Sequence, residues 1–409
     1  MRIAFLTAYY PPEITADTHL EQDILEGMSK KGWEVFVFTS TPTRGVDKNT
    51  IKEYKKINKE IQYDGHVKIT RFWAPQEKNS SILRAFRYSW CCLRQFQLAK
   101  RIGYVDVIYC NSTPPIVGLV AAKLKKVYKC KFVYSLQDLF PESLYTAGIT
   151  SEKSLWMTIG NKIANYVYCA SDHIITLNDN LKNILITKGQ DVEKITTVNN
   201  WIDVSSIGRI EKKNNRIFDE YNIDRDKFTV VYAGNFGKSQ NIDYIVEAAN
   251  KLSLHNEIQF ILFGAGSEYN RICDKVKGMQ LNNIHVFPIL PSERISEVYS
   301  LGDVSIICNA PGISSVAMPS KTWTIMGTGT PIIAVSDQSC ELSELIKTIE
   351  CGYIADPLDV SGFVEIIISC SKLTENELFK MGANGRAYVV KNRNKEDLVK
   401  KYLNIIRKA

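Results

Sequence analysis

The sequence lacks the patterns that mark metal-binding, exported and membrane-spanning proteins. Its ten cysteines include no Cys-x-x-Cys pair and its five histidines fall outside ligand spacing, so neither a zinc site nor a disulfide framework is predicted. No apolar run reaches the roughly 18 residues that a membrane span requires. Residues 1–13 lack a long apolar region and a cleavage site, so no signal peptide is predicted. We therefore expect a cytoplasmic protein with reduced cysteines.

Positive charge is abundant but unevenly placed. The net charge is +7, and the stretch 79–131 contains a single acid, Asp106, against ten basic residues. Within it, residues 80–101 mix basic side chains with Phe86 and Trp90, the pattern of a helix that lies on an anionic membrane surface. The alternative is a helix that packs its apolar side on a sheet. Nucleic acid would use the same charge, but no base-reading motif accompanies it.

The order of apolar segments predicts two α/β domains. Strand-like segments alternate with helical ones from Ile3 onward and again from Thr229 onward, which is typical of parallel sheets covered by helices on both faces. We predict a first doubly wound domain at 1–205, completed by a C-terminal helix at 392–409, and a second at 206–391. Ligands of such folds bind outside the carboxyl ends of the strands, so we expect a site in a cleft between the domains.

Glycine-rich turns follow two strands of the second domain. The first turn, 234–240, reads GNFGKSQ. Its glycines allow close backbone approach, and Lys238 adds a charge near a helix start, so we interpret it as a phosphate-binding loop rather than a plain structural turn. The second turn holds Gly264 and Gly266 but lacks the third glycine of a dinucleotide fingerprint. We interpret these two glycines as leaving room for a base or ribose.

A lysine stands in the first turn of the helix that begins at Pro319. The positive end of the helix dipole disfavours a cation there. Ser320 is a suitable N-cap, so Ser320 and Lys321 together favour an anion, such as the phosphates of a nucleotide. The alternative is that Lys321 turns away to solvent.

Two loops of the first domain carry carboxylates just after strands. Their polar members are Glu13, Thr15, Asp17, Gln137, Asp138 and Glu142. Exposed acids on loops are common, so their position after a strand, rather than their type, indicates a site. For the first loop the structural alternative is a rigid turn with Asp17 or Thr18 as the N-cap of the following helix.

These elements, in this order, resemble the family 4 glycosyltransferases of the GT-B fold, and most closely the bacterial O-antigen and capsule members that transfer N-acetylated aminosugars such as fucosamine. The resemblance spans nearly the whole chain, and its ordered set of segments is specific. The segments are YYPPE, KKGWEVFVFTS, YDGHVKITRF, DVIYCNSTPP, QDLFPES, VNNWID, YAGNFGKSQNIDYIVEAA, FGAGSE, MPSKTWTIMGTGTPIIA and MGANGRAYV. The resemblance implies an α/β fold of two facing Rossmann-like domains and a retaining transferase.

The same resemblance implies roles for the site residues. A nucleoside-diphosphate-sugar, expected to be UDP-linked, would be held by Gly234, Asn235, Lys238, Gln240, Gly264, Gly266, Ser315, Pro319, Ser320, Lys321 and Thr324. Asp138 and Gln137 would face the donor sugar and the acceptor, and with Lys238 and Lys321 they would form the catalytic set. The acceptor side would be lined by Glu13, Thr15, Asp17 and Glu142.

The resemblance also implies the chemistry and its location. Lysines and helix-start amides would stabilise the leaving diphosphate, so neither a metal ion nor another cofactor is expected. The acceptor would be a polyprenyl-diphosphate-linked saccharide, and the enzyme would lie on the inner face of the cytoplasmic membrane.

The chain departs from the broader family at several positions. The usual pair of glutamates aligns with Val316 and Thr324, Gln137 stands where many relatives have a histidine, and Trp33 replaces another histidine. Two other functions therefore stay open. One is an inactive nucleotide-sugar-binding partner subunit, which detection of sugar transfer would exclude. The other is an epimerase of the same fold, which the sparse carboxylates disfavour.

Overall fold

The computed structural model describes residues 1–13, 15, 18–76, 81–142, 154–312 and 318–409. The chain forms two compact units: unit 1 comprises Met1–Asn200 and Glu396–Ala409, and unit 2 comprises Trp201–Lys395. Each unit is an α/β layer structure, as the alternating pattern predicted.

The boundaries of unit 2 lie a few residues outside the predicted 206–391. Ile202 forms a parallel bridge with Asn394. The amide of Ile202 donates to the carbonyl of Arg393 at 3.0 Å, and the amide of Lys395 donates to the carbonyl of Ile202 at 3.1 Å. Because these bonds tie both flanking segments together, residues 201–205 and 392–395 belong to unit 2, and the predicted boundaries are corrected accordingly.

Unit 1 is built on an eight-stranded sheet. Its elements are β1 (Arg2–Leu6), α1 (Thr18–Lys30), β2 (Glu34–Ser40), α2 (Lys48–Tyr54), β3 (Lys59–Gln62), β4 (Val67–Phe72), α3 (Ser81–Ala99), β5 (Val107–Asn111), α4 (Val117–Tyr128), β6 (Lys131–Leu136), α5 (Leu155–Ala170), β7 (His173–Thr176), α6 (Asp179–Thr187) and β8 (Ile195–Thr197). The strand order is β3-β4-β2-β1-β5-β6-β7-β8. Among the described strands of this sheet, only β3 is antiparallel to its neighbour, and a short turn at Tyr63–Gly65 joins it to β4.

The helices of unit 1 lie on both faces of this sheet. Strands β1 and β5 are apolar and almost fully buried, as strands covered on both faces must be. Right-handed crossovers place α3, α4 and α5 on one face. There α4 packs between α3 and α5. The carboxyl ends of β1 and β6 lead directly into the two loops that carry the predicted site residues of this unit.

Unit 2 is built on a six-stranded parallel sheet. Its elements are α7 (Ile217–Glu220), β9 (Phe228–Asn235), α8 (Ile242–Lys251), β10 (Ile258–Ala265), α9 (Tyr269–Gly278), β11 (Ile284–Pro288), α10 (Ile295–Tyr299), β12 (Val304–Cys308), α11 (Lys321–Thr328), β13 (Ile332–Val335), α12 (Glu341–Ile349), β14 (Gly352–Ala355), α13 (Val360–Ser371) and α14 (Glu375–Asn392). The strand order is β11-β10-β9-β12-β13-β14. The reversal of strand order lies at β9 and β12, which is where ligands of open α/β sheets bind.

The C-terminal helix α15 (Lys395–Lys408) completes unit 1, which confirms that this helix returns to the first domain. Its apolar side packs on α1 so closely that a Cβ built on Gly27 would come within 2.8 Å of Val399 and 2.9 Å of Leu403. The hydroxyl of Tyr402 donates to Ser135 Oγ at 2.5 Å and lies 3.1 Å from the hydroxyl of Tyr109. Among the described residues, no helix combines the length and the apolar composition needed to cross a bilayer.

Candidate functional site

Lys321 lies in the first turn of α11, as predicted, although α11 begins at Lys321 itself and not at Pro319. Its ammonium group is enclosed. Part of the side chain reaches the surface, but Nζ is buried and has no hydrogen-bond partner within the described part of the chain. It lies 4.0 Å from the centroid of the Tyr232 ring. Burial lowers the pKa of Lys321 from 10.5 to about 8. The alternative of a solvated lysine is therefore wrong.

Gly234, at the end of β9, leaves space for this ammonium group. A Cβ built on Gly234 would lie 2.8 Å from Lys321 Nζ, and the φ of Gly234 is +144°, which favours glycine. Since a buried cation without a hydrogen-bonding partner is costly, a group that receives its N–H bonds would stabilise the site. The position beside a helix start and a glycine backbone suits an anion.

Ser320 does not cap α11. Its backbone is already helical, with φ −58° and ψ −31°, and its side chain makes no capping hydrogen bond. The prediction of a Ser320 N-cap is therefore wrong, because a capping side chain requires an extended backbone at that position. Pro319 precedes it, and the carbonyl of Pro319 accepts from the amide of Thr322 at 3.0 Å. Thr324 is half-buried one turn later.

The loop after β9 is held by its own side chains. Asn235 Nδ2 donates to Gln240 Oε1 at 3.1 Å, and this pair closes over Gly237. Lys238 is exposed in the short turn that precedes α8. The loop therefore presents the exposed ammonium group of Lys238 at the same sheet edge as Lys321. The hydrogen bond between Asn235 and Gln240 fixes the path of the loop backbone.

Gly264 and Gly266 make room for the protein itself. A Cβ on Gly264 would lie 2.0 Å from the buried ring of Phe236. A Cβ on Gly266 would lie 2.5 Å from both Asn235 Oδ1 and the carbonyl oxygen of Phe236. The interpretation that these glycines leave space for a base or ribose is corrected: they let the end of β10 pack against the loop after β9, and so position that loop.

Sequence reasoning missed two residues of this edge. Tyr232 lies inside an apolar strand, where its sequence pattern indicates only burial, yet its ring lies against the Lys321 ammonium group in a cation–π contact. Asn309 follows β12 and is 8% exposed, and its Nδ2 donor has no partner within the described residues. A lone asparagine after a strand has no distinctive pattern, so only the structure could reveal this second unpaired donor.

In unit 1 the loop after β6 is anchored to the loop after β5. Ser112 Oγ accepts hydrogen bonds from the amides of Gln137 at 2.8 Å and Asp138 at 3.2 Å. Gln137 Nε2 donates to Ser135 Oγ at 3.0 Å, while its Oε1 is enclosed with no partner among the residues described. Asp138 remains accessible, although the surrounding protein removes enough hydration to raise the pKa of its carboxyl group.

Glu13 does not present its carboxylate to solvent. It is 1% exposed, and its Oε1 accepts from the amides of Thr43 at 2.7 Å and Arg44 at 3.0 Å. Burial raises the pKa of Glu13, and these hydrogen bonds and the nearby Arg87 act in the opposite direction. Glu13 thus holds the loop after β2 to the loop after β1, which departs from the predicted position on an acceptor surface.

The other predicted acceptor residues either have partners nearby in the chain or lie outside the described residues. Thr15 Oγ1 lies 2.7 Å from Thr18 Oγ1 at the start of α1. Glu142 forms an ion pair with Lys188. Asp17 and Ser315, and Val316 of the aligned glutamate pair, lie outside the described residues.

The sequence offers no Asp-x-Asp triplet near Lys321. Asp224-Arg225-Asp226 is the one Asp-x-Asp triplet of the sequence. It precedes β9 and so lies at the amino edge of the sheet, opposite Lys321. Within the described residues, no group of three or more His, Cys, Asp or Glu side chains is arranged to hold a metal ion. Among the described residues, Lys321, Lys238 and Asn309 are donors at this edge that an anion could use.

Comparison with known proteins agrees with this arrangement. Residues 22–206 match the family described as Glycosyltransferase Family 4, and residues 213–388 match Glycosyl transferases group 1. The chain is 22% identical over 324 residues to "Probable glycosyltransferase WbjE" of Pseudomonas aeruginosa, covering 76% of each protein. It is 20% identical over 426 residues to "Putative colanic acid biosynthesis glycosyl transferase WcaI" of Escherichia coli (strain K12), covering 100% of both.

A solved structure shows the same fold. The crystal structure of Anabaena Alr3699/HepE in complex with UDP matches with a TM-score of 0.72 and 14% identity, covering 100% of both chains. The two matched family regions follow one another and leave little of the chain outside them. The chain thus belongs to the family 4 glycosyltransferases of the GT-B fold, with a Glycosyltransferase Family 4 region followed by a group 1 region.

Proposed function

We propose that the protein is a retaining glycosyltransferase of bacterial O-antigen or capsule biosynthesis. It moves a sugar, an N-acetylated aminosugar, from a UDP-linked donor to a polyprenyl-diphosphate-linked saccharide at the inner face of the cytoplasmic membrane. The names of the relatives WbjE and WcaI support a glycosyltransferase that builds a bacterial polysaccharide. The UDP complex of the Anabaena protein supports a nucleotide donor.

The observation that carries the proposal is the enclosed ammonium group of Lys321. It has no hydrogen-bond partner within the described residues and faces Gly234 at the carboxyl edge of the sheet. A diphosphate supplies the acceptor oxygens and the negative charge that this group lacks, and charge-assisted bonds of that kind are strong. Asn309 Nδ2, also unpaired in the described chain, provides a second donor at the same edge.

In this mechanism the leaving group carries the charge that develops as the glycosidic bond breaks. Lys321 and Lys238 stabilise the departing diphosphate, and preorganised donors of this kind typically contribute about 10²- to 10³-fold in rate. No metal ion is then required. Asp138, on its anchored loop, faces the reacting sugar, and Gln137 supports it.

The experiment pairs a lipid-linked acceptor with a panel of sugar nucleotides. Mass spectrometry should detect transfer of one N-acetylated aminosugar, and NMR of the product should show that the anomeric configuration of the donor is kept. Transfer should persist in the presence of EDTA. Absence of transfer with retained UDP binding would favour the inactive partner subunit, and conversion of the donor into an epimer would favour the epimerase.

A further inference from the structure

Three neighbouring helices on one face of the unit 1 sheet contain no acidic residue, whereas α6, which follows them on that face, carries Asp179. The three are α3, α4 and α5, and none of them includes Asp or Glu. They carry seven basic residues in sequence: Arg84, Arg87, Arg94, Lys123, Lys125, Lys126 and Lys162. The opposite face is different, because α1 and α15 both contain acids. We call α3, α4 and α5 the acid-free layer.

The acid-free layer also exposes large apolar side chains. Leu155 is 73% exposed and Trp156 is 71% exposed at the start of α5, and Phe86 is 60% exposed near the start of α3. Several large apolar side chains exposed on one helical layer indicate an interaction surface. The exposed apolar residues near the two helix starts are Leu83, Phe86, Leu155, Trp156 and Ile159, which we call the apolar rim.

Basic and apolar residues are separated along the layer. Each helix connects parallel strands by a right-handed crossover, so its start lies at the carboxyl edge of the sheet and its end at the amino edge. The apolar rim therefore lies at the carboxyl edge. The exposed lysines of and after α4, including Lys123, Lys126 and Lys129, lie toward the amino edge. Lys126 Nζ lies 5.5 Å from the centroid of the Tyr166 ring, which joins α4 to α5.

Helix α5, which carries part of the apolar rim, is in direct contact with the loop that carries Asp138. Gly160 of α5 packs on that loop so closely that a Cβ there would lie 2.6 Å from Pro141 and 3.4 Å from Phe140. Ile159 and Trp156 lie on the same first turns of α5. A surface that receives the rim is therefore brought next to Gln137 and Asp138, the predicted acceptor side of unit 1.

We propose that the acid-free layer docks on an anionic lipid bilayer, with the apolar rim inserted among the lipids and the lysines of α4 against the headgroups. Tryptophan with basic neighbours and no acids fits the interface of such a membrane. This inference rests on the lipid-linked acceptor of the proposed function, since docking presents Asp138 to a diphosphate at the bilayer surface. A second copy of the chain is disfavoured because two such layers would bring like charges together.

The test is sedimentation of the full chain with vesicles of equal parts phosphatidylglycerol and phosphatidylcholine. The double variant Leu155→Ser/Trp156→Ser should bind at least about 10-fold more weakly at both low and high salt, because the binding energy it loses comes from burial of apolar side chains. The double variant Lys123→Glu/Lys126→Glu should bind more weakly at low salt and resemble wild type at high salt. The matched control is Leu254→Ser, which replaces a 91% exposed leucine of unit 2 and should bind as wild type.

A second measurement follows insertion directly. Brominated lipids should quench the fluorescence of the wild-type protein, and Trp156→Phe should lose part of that quenching, since Trp33, Trp201 and Trp323 are buried. Vesicle binding that is absent, or equal in wild type and both double variants, would overturn the inference. A dimer in solution that Leu155→Ser/Trp156→Ser dissociates, without vesicle binding, would also overturn it.

Calorimetry with UDP separates this inference from the proposed function. All variants of the layer should keep the UDP affinity of the wild type, because the nucleotide edge lies in unit 2. If the wild type binds UDP but does not bind vesicles, only the docking surface is refuted. Vesicle binding without UDP binding or sugar transfer would refute only the proposed function.

Discussion

Replacing Lys321 by methionine removes the buried charge while keeping an unbranched side chain that can fill the same space. A pKa lowered from 10.5 to about 8 means that the folded, ligand-free protein holds this ammonium group at a cost of roughly 3 kcal/mol. Lys321→Met should therefore raise the free energy of unfolding of the ligand-free protein, by up to about 3 kcal/mol at pH 7. Few substitutions at a binding site are expected to stabilise, so the sign alone is informative.

The stability difference should depend on pH. The pKa of Lys321 is lower in the folded state than in the unfolded state, so the unfolded state binds the proton more tightly. The penalty is complete below about pH 8, where both states are protonated. It fades as the pH rises from about 8 toward 10.5, where the unfolded lysine also becomes neutral. Urea unfolding should show a smaller difference in the free energy of unfolding between Lys321→Met and the wild type at pH 10 than at pH 7.

UDP binding should move in the opposite direction. Loss of a charge-assisted hydrogen bond of about 1.5 to 3 kcal/mol predicts binding about 10- to 150-fold weaker in Lys321→Met. Because a diphosphate favours the charged lysine, the wild type near pH 8 should take up about half a proton per UDP bound, and the variant should not. Calorimetry in two buffers of different ionisation enthalpy measures this uptake.

The control for these experiments is Lys251→Met. Lys251 ends α8 and is exposed, with its Nζ 3.2 Å from Ser361 Oγ. This variant should change neither UDP affinity nor proton uptake. Two results would refute the reasoning that a diphosphate pairs with this lysine. One is an unchanged UDP affinity in Lys321→Met, and the other is a lower free energy of unfolding of the ligand-free variant at pH 7.

Three further substitutions test neighbouring contacts. Gly234→Ala should weaken UDP binding at least 10-fold and lower stability by about 1–3 kcal/mol, since its Cβ would lie 2.8 Å from Lys321 Nζ at a φ of +144°; UDP titration and urea unfolding measure both, and wild-type affinity would contradict it. Gly160→Ala should reduce sugar transfer while leaving UDP affinity unchanged, because it displaces Pro141 and the loop of Asp138; steady-state rates decide, with equal rates counting against the loop's role. Tyr402→Phe should cost about 1–3 kcal/mol through its buried bonds to Ser135 and Tyr109, and a urea midpoint equal to that of the wild type would show that these bonds contribute nothing.

Sequence patterns were sufficient for the architecture. Short apolar runs such as β1 and β9 alternate regularly with longer helical segments, and this alternation left few possible topologies. The domain boundary was displaced by a few residues because the bridge between Ile202 and Asn394 joins segments far apart in sequence. A pairing of that kind leaves no local signal.

The site was only partly predictable. The conflict between a lysine and a helix dipole is local, so Lys321 could be identified from the sequence. Whether Gly264 admits a ligand or the Phe236 ring depends on a residue packed from another loop. Likewise, Ser320 does not cap α11 because its backbone is already helical. The exposure of Trp156 depends on which side of α5 packs on the sheet.

Unit 1 is assembled from both ends of the polypeptide. During synthesis, residues 1–200 emerge long before α15, and Val399, Tyr402 and Leu403 become available only when translation is nearly complete. Until then the groove around Gly27 has no cover, and Ser135 lacks its bond from Tyr402. A nascent or truncated chain that stops before residue 396 would therefore have an unfinished first unit and a complete second unit. Nucleotide binding should then persist in C-terminal truncations that have lost sugar transfer.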